Sequence, residues 1–183
     1  MTNKTIYLST LIILLATKVL ANDSYYTPLE ESKCIVLESS ANDPEAEIDY
    51  FELKCPGRDG YWINVSGGDL RSHIVVKKDK TEIYDSRLDV YENRPGGFPH
   101  VDGNVLEWRY NKDKKLIGLI FRIAGQDMKS KDTINGRDIT TLFVIRHFEN
   151  EFCYIGKTTS NTKARKMLDQ ATSCPVQKPV TTN

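Results

Sequence analysis

The chain has 183 residues, with 25 Lys and Arg against 25 Asp and Glu, and a formal net charge of zero. A near-neutral chain of this length can bury the core of one domain, but it has no overall field to draw in nucleic acid or anionic lipid. No internal repeat is present, and no segment after residue 21 is apolar enough to span a bilayer.

The N-terminus reads as a cleavable secretory signal over residues 1–21. Lys4 supplies a cation, Ile6 to Ala16 is almost wholly apolar, and Val19-Leu20-Ala21 offers a cleavage site after Ala21. The apolar run is about 11 residues, short of the ~20 that cross a bilayer, and Lys18 interrupts it. No cysteine follows the site, which argues against a lipid anchor. Cleavage removes Lys4 and Lys18 and no acid, leaving 23 cations against 25 anions. The expected location is outside the cytoplasm, periplasmic or extracellular. Residues 22–32 and 176–183 are polar and read as flexible ends around one β-rich domain spanning 33–175.

Strands follow in sequence. Cys34-Ile-Val-Leu is short, Ile48 to Lys54 alternates, and Tyr61 to Val65 runs into a Ser66-Gly-Gly-Asp69 turn and out along Leu70 to Lys77 as a hairpin. Asp85 to Asn104 contains Asn93-Arg-Pro-Gly-Gly-Phe-Pro-His100 and predicts a loop without regular structure. Val105–Tyr110, Leu116–Ile123, Thr140–Phe148 and Phe152–Lys157 are further strands. Their turns lie at Asn111 to Lys114, Gly125 to Asp138 and Glu149-Asn150. Asn161 to Thr172 reads as a helix capped by Ser160 or Asn161, with Ala164, Met167, Leu168 and Ala171 on one face. The fold class is therefore mainly β (α+β): an antiparallel meander or partly open barrel with one C-terminal helix packed on it.

Cys34, Cys55, Cys153 and Cys174 allow three pairings, and spacing alone does not choose among them. Cys174 continues the apolar stripe of the helix, which favours Cys153–Cys174 and leaves Cys34–Cys55. A zinc site would want closely spaced cysteines, and neither pair has that spacing.

The most patterned charges lie in Leu106-Glu-Trp-Arg-Tyr110. Alternation puts Glu107 and Arg109 on the face opposite Leu106, Trp108 and Tyr110. Arg122 and Arg146 come from following strands, and Asp69 and Arg71 from the early hairpin. Such a face is either an anion-binding patch or a solvated ladder of cross-strand ion pairs. Because acids accompany the cations, the ladder is favoured. Phe98 and His100, in the Pro-Gly segment, are the other binding candidates, and an exposed aromatic cluster near Phe98 and Tyr91 would favour them. Catalytic motifs are absent: His73, His100 and His147 lack metal-ligand spacing, and no serine sits in a G-x-S-x-G elbow. His147 with Glu149 is a weak pair. Asn64-Val-Ser66 matches a glycosylation acceptor. No motif calls for a cofactor or a metal.

Cys55-Pro-Gly, Gly60-Tyr-Trp-Ile-Asn-Val with Gly68-Asp-Leu-Arg71, Leu106-Glu-Trp-Arg109, and Phe152-Cys-Tyr-Ile-Gly156 with Ala164-Arg165 and Cys174 resemble a family of uncharacterised small exported (periplasmic) proteins of Gram-negative proteobacteria with two cysteine pairs. The resemblance runs from about Cys34 to Cys174. It implies a periplasmic or surface location and both cysteine pairs, and it implies no activity. Three readings follow: a non-catalytic envelope or periplasmic binding or accessory protein with an unknown protein or envelope ligand as partner; a hydrolase using Glu107 or His147 with an arginine; and a structural envelope component. The first is favoured, because loops on a rigid disulfide-bonded β-domain present a surface. No nucleic-acid partner is expected.

Overall fold

The computed structural model describes residues 22–43, 45–129 and 137–175. The expected leader 1–21, the tail 176–183 and part of the turn between Gly125 and Asp138 lie outside the described residues. Ten strands and two α-helices follow one another: β1 Asp23–Pro28, β2 Ile35–Ser39, β3 Phe51–Cys55, β4 Tyr61–Gly68, β5 Arg71–Lys78, β6 Thr81–Asp85, α1 Arg87–Asn93, β7 Gly97–Tyr110, β8 Leu116–Gln126, β9 Asp138–Phe148, β10 Glu151–Thr158 and α2 Asn161–Gln170.

The strands form two five-stranded sheets, β2-β3-β4-β5-β6 and β1-β7-β8-β9-β10, with every pairing antiparallel. The meander is thus divided between two sheets, and it does not close into a barrel. Alternation explains the core. Leu106, Trp108 and Tyr110 of β7 point inward with Leu119, Phe121, Phe143 and Ile145, and meet Ile63, Val65, Ile74 and Val76 from the other sheet. On the outer face of the second sheet, Ile120, Leu142 and Val144 pack against Ala164 and Leu168 of α2. The molecule is therefore three layers deep on that side.

Helix α2 starts where the sequence places it. The Ser160 side chain accepts from the Lys163 amide, satisfying one of the orphan N–H groups of the first turn. Its close seating depends on Gly118: a Cβ there would lie 2.2 Å from the Ile145 carbonyl oxygen and 2.5 Å from a Leu168 methyl. Both expected disulfides are present, Cys34–Cys55 and Cys153–Cys174, each with a sequence separation of 21. A loop of that length restricts the unfolded chain by about 3 kcal/mol in the loop-entropy account. Both bridges are local, one joining the start of β2 to β3 and the other tying the chain beyond α2 to β10.

The structure departs from the sequence reading in three places. Residues 22–32, read as flexible, contribute β1, whose Tyr25 packs edge-on against Tyr110 with ring centroids 5.3 Å apart. Strand β6 pairs with β5, although Thr81 to Asp85 has too little alternation to announce a strand. The segment Asp85 to Asn104, read as irregular, holds helix α1 and the first half of β7. Pro95 and Gly96 stop α1 rather than forbid it, and Pro99 falls inside a break in the β7–β8 register between Gly97 and His100, where its missing N–H costs no ladder bond.

Candidate functional site

The candidate residues fall into two regions. The first is the outer face of β7, β8 and β9. Register places Glu107 beside Ile120, Arg109 beside Gly118, Asp102 beside Arg122, and Gly118 beside Arg146, so Glu107, Arg109, Arg122 and Arg146 do share one face. That face is not a solvated ladder. Its centre is apolar and lies beneath α2, and Glu107 and Arg109 form their ion pairs with the helix rather than across strands.

The pairing follows from two periodicities. Residues two apart on a strand and four apart on a helix are separated by similar distances, about 6–7 Å. Glu107 and Arg109 therefore meet Arg165 and Asp169 in one step, with charges in complementary order. Arg165 donates from Nε to Glu107 Oε1 at 2.7 Å and from Nη2 to Oε2 at 3.1 Å. Arg109 donates from Nε and Nη2 to the two oxygens of Asp169 at 2.9 and 2.7 Å. The Ser24 hydroxyl adds a 2.5 Å bond to Glu107, and Arg109 Nη1 donates to the Asn22 carbonyl and to Ser24 Oγ. The Glu107 side chain is only 6% exposed. Burial alone would raise the Asp169 carboxyl, but the hydrogen bonds from Arg109 and Asn22 outweigh it and hold the group below the usual range. Arg146 donates to the carbonyls of Ile117 and Leu168 at 3.3 Å, a cation at the last turn of α2, and burial lowers it. Arg122 reaches Thr140 Oγ1 at 3.5 Å along a shallow cleft beside α2. Each side-chain nitrogen and oxygen of Glu107 and Arg109 has a protein partner, so this is a strap holding helix and N-terminal strand to the sheet.

His147 is equally internal. Its ring lies against Phe152, Nδ1 is 3.2 Å from the Leu116 carbonyl and Nε2 is 3.3 Å from the Tyr61 hydroxyl. Burial lowers its pKa, Leu116 opposes that, and Arg146 and Lys78 add to it. Asn64 is 1% exposed and donates to Glu52, so the folded chain offers no glycosylation acceptor at that position. Among the described residues, no group of three or more His, Cys, Asp or Glu is placed to hold a metal.

The second region is open. Two adjoining cavities of about 530 and 580 Å3 share Phe51, Gly68, Arg71 and Ser72 and form one groove across the end of both sheets. Phe98 and His100 stand on one side with Leu70, and Tyr91 of α1 stands on the other. The walls are tied together at Ser72, whose hydroxyl accepts from the Val101 amide at 2.8 Å. Arg71 occupies the centre, held by Asp69 and placed 4.7 Å over the Phe98 ring. Near it, His73 lies 3.4 Å from Asp85; burial lowers this imidazole more than Asp85 raises it.

The rim has an unusual backbone. The β4–β5 turn is Asp69-Leu70 with φ of 50° and 62°, the left-handed pair of a type I′ hairpin turn. Gly is the usual second residue, yet here it is Leu70, 72% exposed. Phe98 has φ of 47° and is 36% exposed. Left-handed backbone is rare for bulky residues and costs on the order of 1–3 kcal/mol, and such positions cluster at functional sites. Tyr91 adds a third large exposed side chain, at 59%.

Sequence reading named Phe98, His100, Tyr91 and Arg71 but not Leu70 or Phe51 as their neighbours. For the strap it named Glu107 and Arg109 without Arg165, Asp169 or Ser24. The signal was available there: Arg165 and Asp169 repeat at i, i+4 with charges complementary to Glu107 and Arg109 at i, i+2.

Compared with protein-family models, curated proteins and solved structures, the chain finds no match. The two disulfides fit the two cysteine pairs of the resemblance described above, and are compatible with an oxidising compartment. No helix among the described residues is long and apolar enough to cross a membrane.

Proposed function

We propose that this is a non-catalytic binding or accessory protein of the periplasm or cell surface, and that its ligand occupies the groove around Arg71. One observation carries the reading: Leu70 and Phe98, both large, apolar and exposed, are held on left-handed backbone on the same groove rim. Folding gains little from Leu70 in that arrangement, since glycine at position 70 would turn the hairpin with less strain and expose less apolar surface. The rest of the groove fits a binding role: two cavities meeting at Arg71, with aromatic side chains and hydrogen-bonding groups interspersed. Location outside the cytoplasm is supported by the leader-like N-terminus, the two bridges and the resemblance.

The hydrolase reading draws no such support. Glu107 is saturated by Arg165 and Ser24, and the His147 ring is packed on Phe152 with Leu116 and Tyr61 within hydrogen-bonding reach of its nitrogens. The test uses the oxidised protein and a Leu70→Gly/Phe98→Ala variant, each immobilised and exposed to envelope extract from the producing cells. A component retained by the native protein and lost from the variant is expected. Equal retention by both, or by neither, would overturn the groove as the binding site. Recovery of the chain in the cytoplasmic rather than the osmotic-shock or culture fraction would overturn its export.

A further inference from the structure

We propose that the occupant of the groove is a polypeptide segment carrying a lysine or arginine next to a large apolar residue; this rests on the reading of the groove as the binding site and names what fills it. The charges of the lining decide the sign of the ligand. Both arginines are already neutralised: Arg71 is held by Asp69, and Arg87 lies 3.4 Å from Asp85. Burial holds His73 below its ordinary value, so the ring is neutral at pH 7. The acids are in excess. Glu38 lines the first cavity and Asp49 and Asp138 line the second, and among the described residues none of the three has an ion-pair partner. Glu38 is also the register partner of Glu52 across β2 and β3, and both line the first cavity. Like charges directly opposite one another destabilise a sheet, and Lys77, 3.4 Å from Glu52, offsets only one of the two. A cation bound beside Glu38 would relieve the rest. Tyr50 and Tyr91, both exposed, line the same cavity and present ring faces that attract a cation.

The second cavity asks for something different. Leu70, Phe98 and Phe51 give it an apolar wall, and it adjoins the first at Arg71. The cation and the apolar group must therefore lie close together on one molecule. Arg71 supplies the reason for a polypeptide. It bonds to Asp69 through Nη1 alone, and its Nε and Nη2 have no hydrogen-bond partner among the described residues. With its charge offset, Arg71 presents N–H donors that match the carbonyl of a neutral amide. In an extended chain successive side chains point to opposite sides, with a carbonyl between them. Two adjacent residues can thus place a cation against Glu38 and an apolar side chain against Leu70 and Phe98, while the backbone crosses Arg71. A simple alkylamine has the cation and the apolar tail but no carbonyl.

The experiment titrates the oxidised, isotope-labelled protein with end-blocked hexapeptides and follows backbone amide shifts by NMR. The probes alternate Lys with Leu, Glu with Leu, or Lys with Ser, and octylamine is the fourth. The Lys-Leu peptide is expected to shift the amides of Leu70, Arg71 and Phe98, and to bind about tenfold more tightly than any of the others. Glu38→Lys, at an exposed position that the fold tolerates, should reverse the order of the Lys-Leu and Glu-Leu peptides. Equal or tighter binding of the Glu-Leu peptide to the native protein, or an order that Glu38→Lys leaves unchanged, overturns the cationic assignment. Equal binding of the Lys-Ser peptide overturns the apolar one, and equal binding of octylamine overturns the polypeptide. If no peptide shifts the groove amides, the inference falls. The groove itself is then judged by the extract comparison above: a component still lost from Leu70→Gly/Phe98→Ala leaves the groove standing with another ligand, and equal retention removes both.

Discussion

The strap beneath α2 and the groove around Arg71 use the same side chains to opposite ends. Both combine arginine, carboxylates and aromatic rings. Under α2, each charge of the Glu107–Arg165 and Arg109–Asp169 pairs finds a bidentate partner from a different element, and the helix excludes water from the centre. At the groove, Arg71 is held by its near neighbour Asp69, so the surrounding rings and cavities stay open. A patterned charge cluster is thus no guide to function until its partners are known. What marks the groove is unspent apolar surface on strained backbone, which the strap lacks.

The contrast can be broken first at the strap. Leu168→Ala removes a fully buried side chain from the helix–sheet seam and should cost about 3 kcal/mol, measured by urea denaturation. Next, Glu107→Gln should cost about 2 kcal/mol, because Arg165 and Ser24 lose a charged acceptor in a dry site. Adding Arg165→Gln should recover part of that loss, and a cycle with no coupling would refute the strap. Neither change should touch ligand retention by the groove.

Leu70→Gly is expected to act in the other direction, raising stability by about 1 kcal/mol as backbone strain at φ 62° is relieved, while weakening retention. A drop in thermal midpoint would show that Leu70 serves the fold. A smaller effect concerns pH. Burial holds the His147 and His73 imidazoles below their ordinary value of 6.5. The unfolded chain therefore takes up protons that the folded chain refuses, and stability should decline as pH falls from about 6.5 through the folded values. His147→Gln should make that acid limb shallower in a pH series of thermal midpoints. Smallest of all, Arg71→Ala should leave stability within about 0.5 kcal/mol, since its side chain is exposed, its ion pair with Asp69 is local and its contact with the Phe98 ring is at the surface. Its effect should appear in ligand retention alone.

Much of this was legible beforehand because it is periodic or punctuated. The β4–β5 and β9–β10 hairpins, the inward run of Leu106, Trp108 and Tyr110, the Ser160 cap and the buried stripe of Ala164 and Leu168 all follow from two-residue and 3.6-residue repeats, although α2 ends at Gln170, short of the expected Thr172, and Cys174 lies beyond it. What escaped reading lacked such a repeat. Strand β1 owes its place to pairing with β7, and the Asp85–Asn104 segment looked irregular because its prolines sit at a helix end and in a register break.

The sequence by itself determined most of the strands, helix α2 and which residues of β7 face inward, since these depend on neighbours a few positions apart. Tertiary structure decided what the charges do. Glu107 and Arg109 lie about sixty positions from Arg165 and Asp169, and only the docking of α2 turns an apparent ladder into a closed strap. The same packing leaves Leu70 and Phe98 uncovered at one end and Ile35 to Leu37 along one edge. Exposure is a property of the whole assembly of elements, and no local pattern in the chain encodes it.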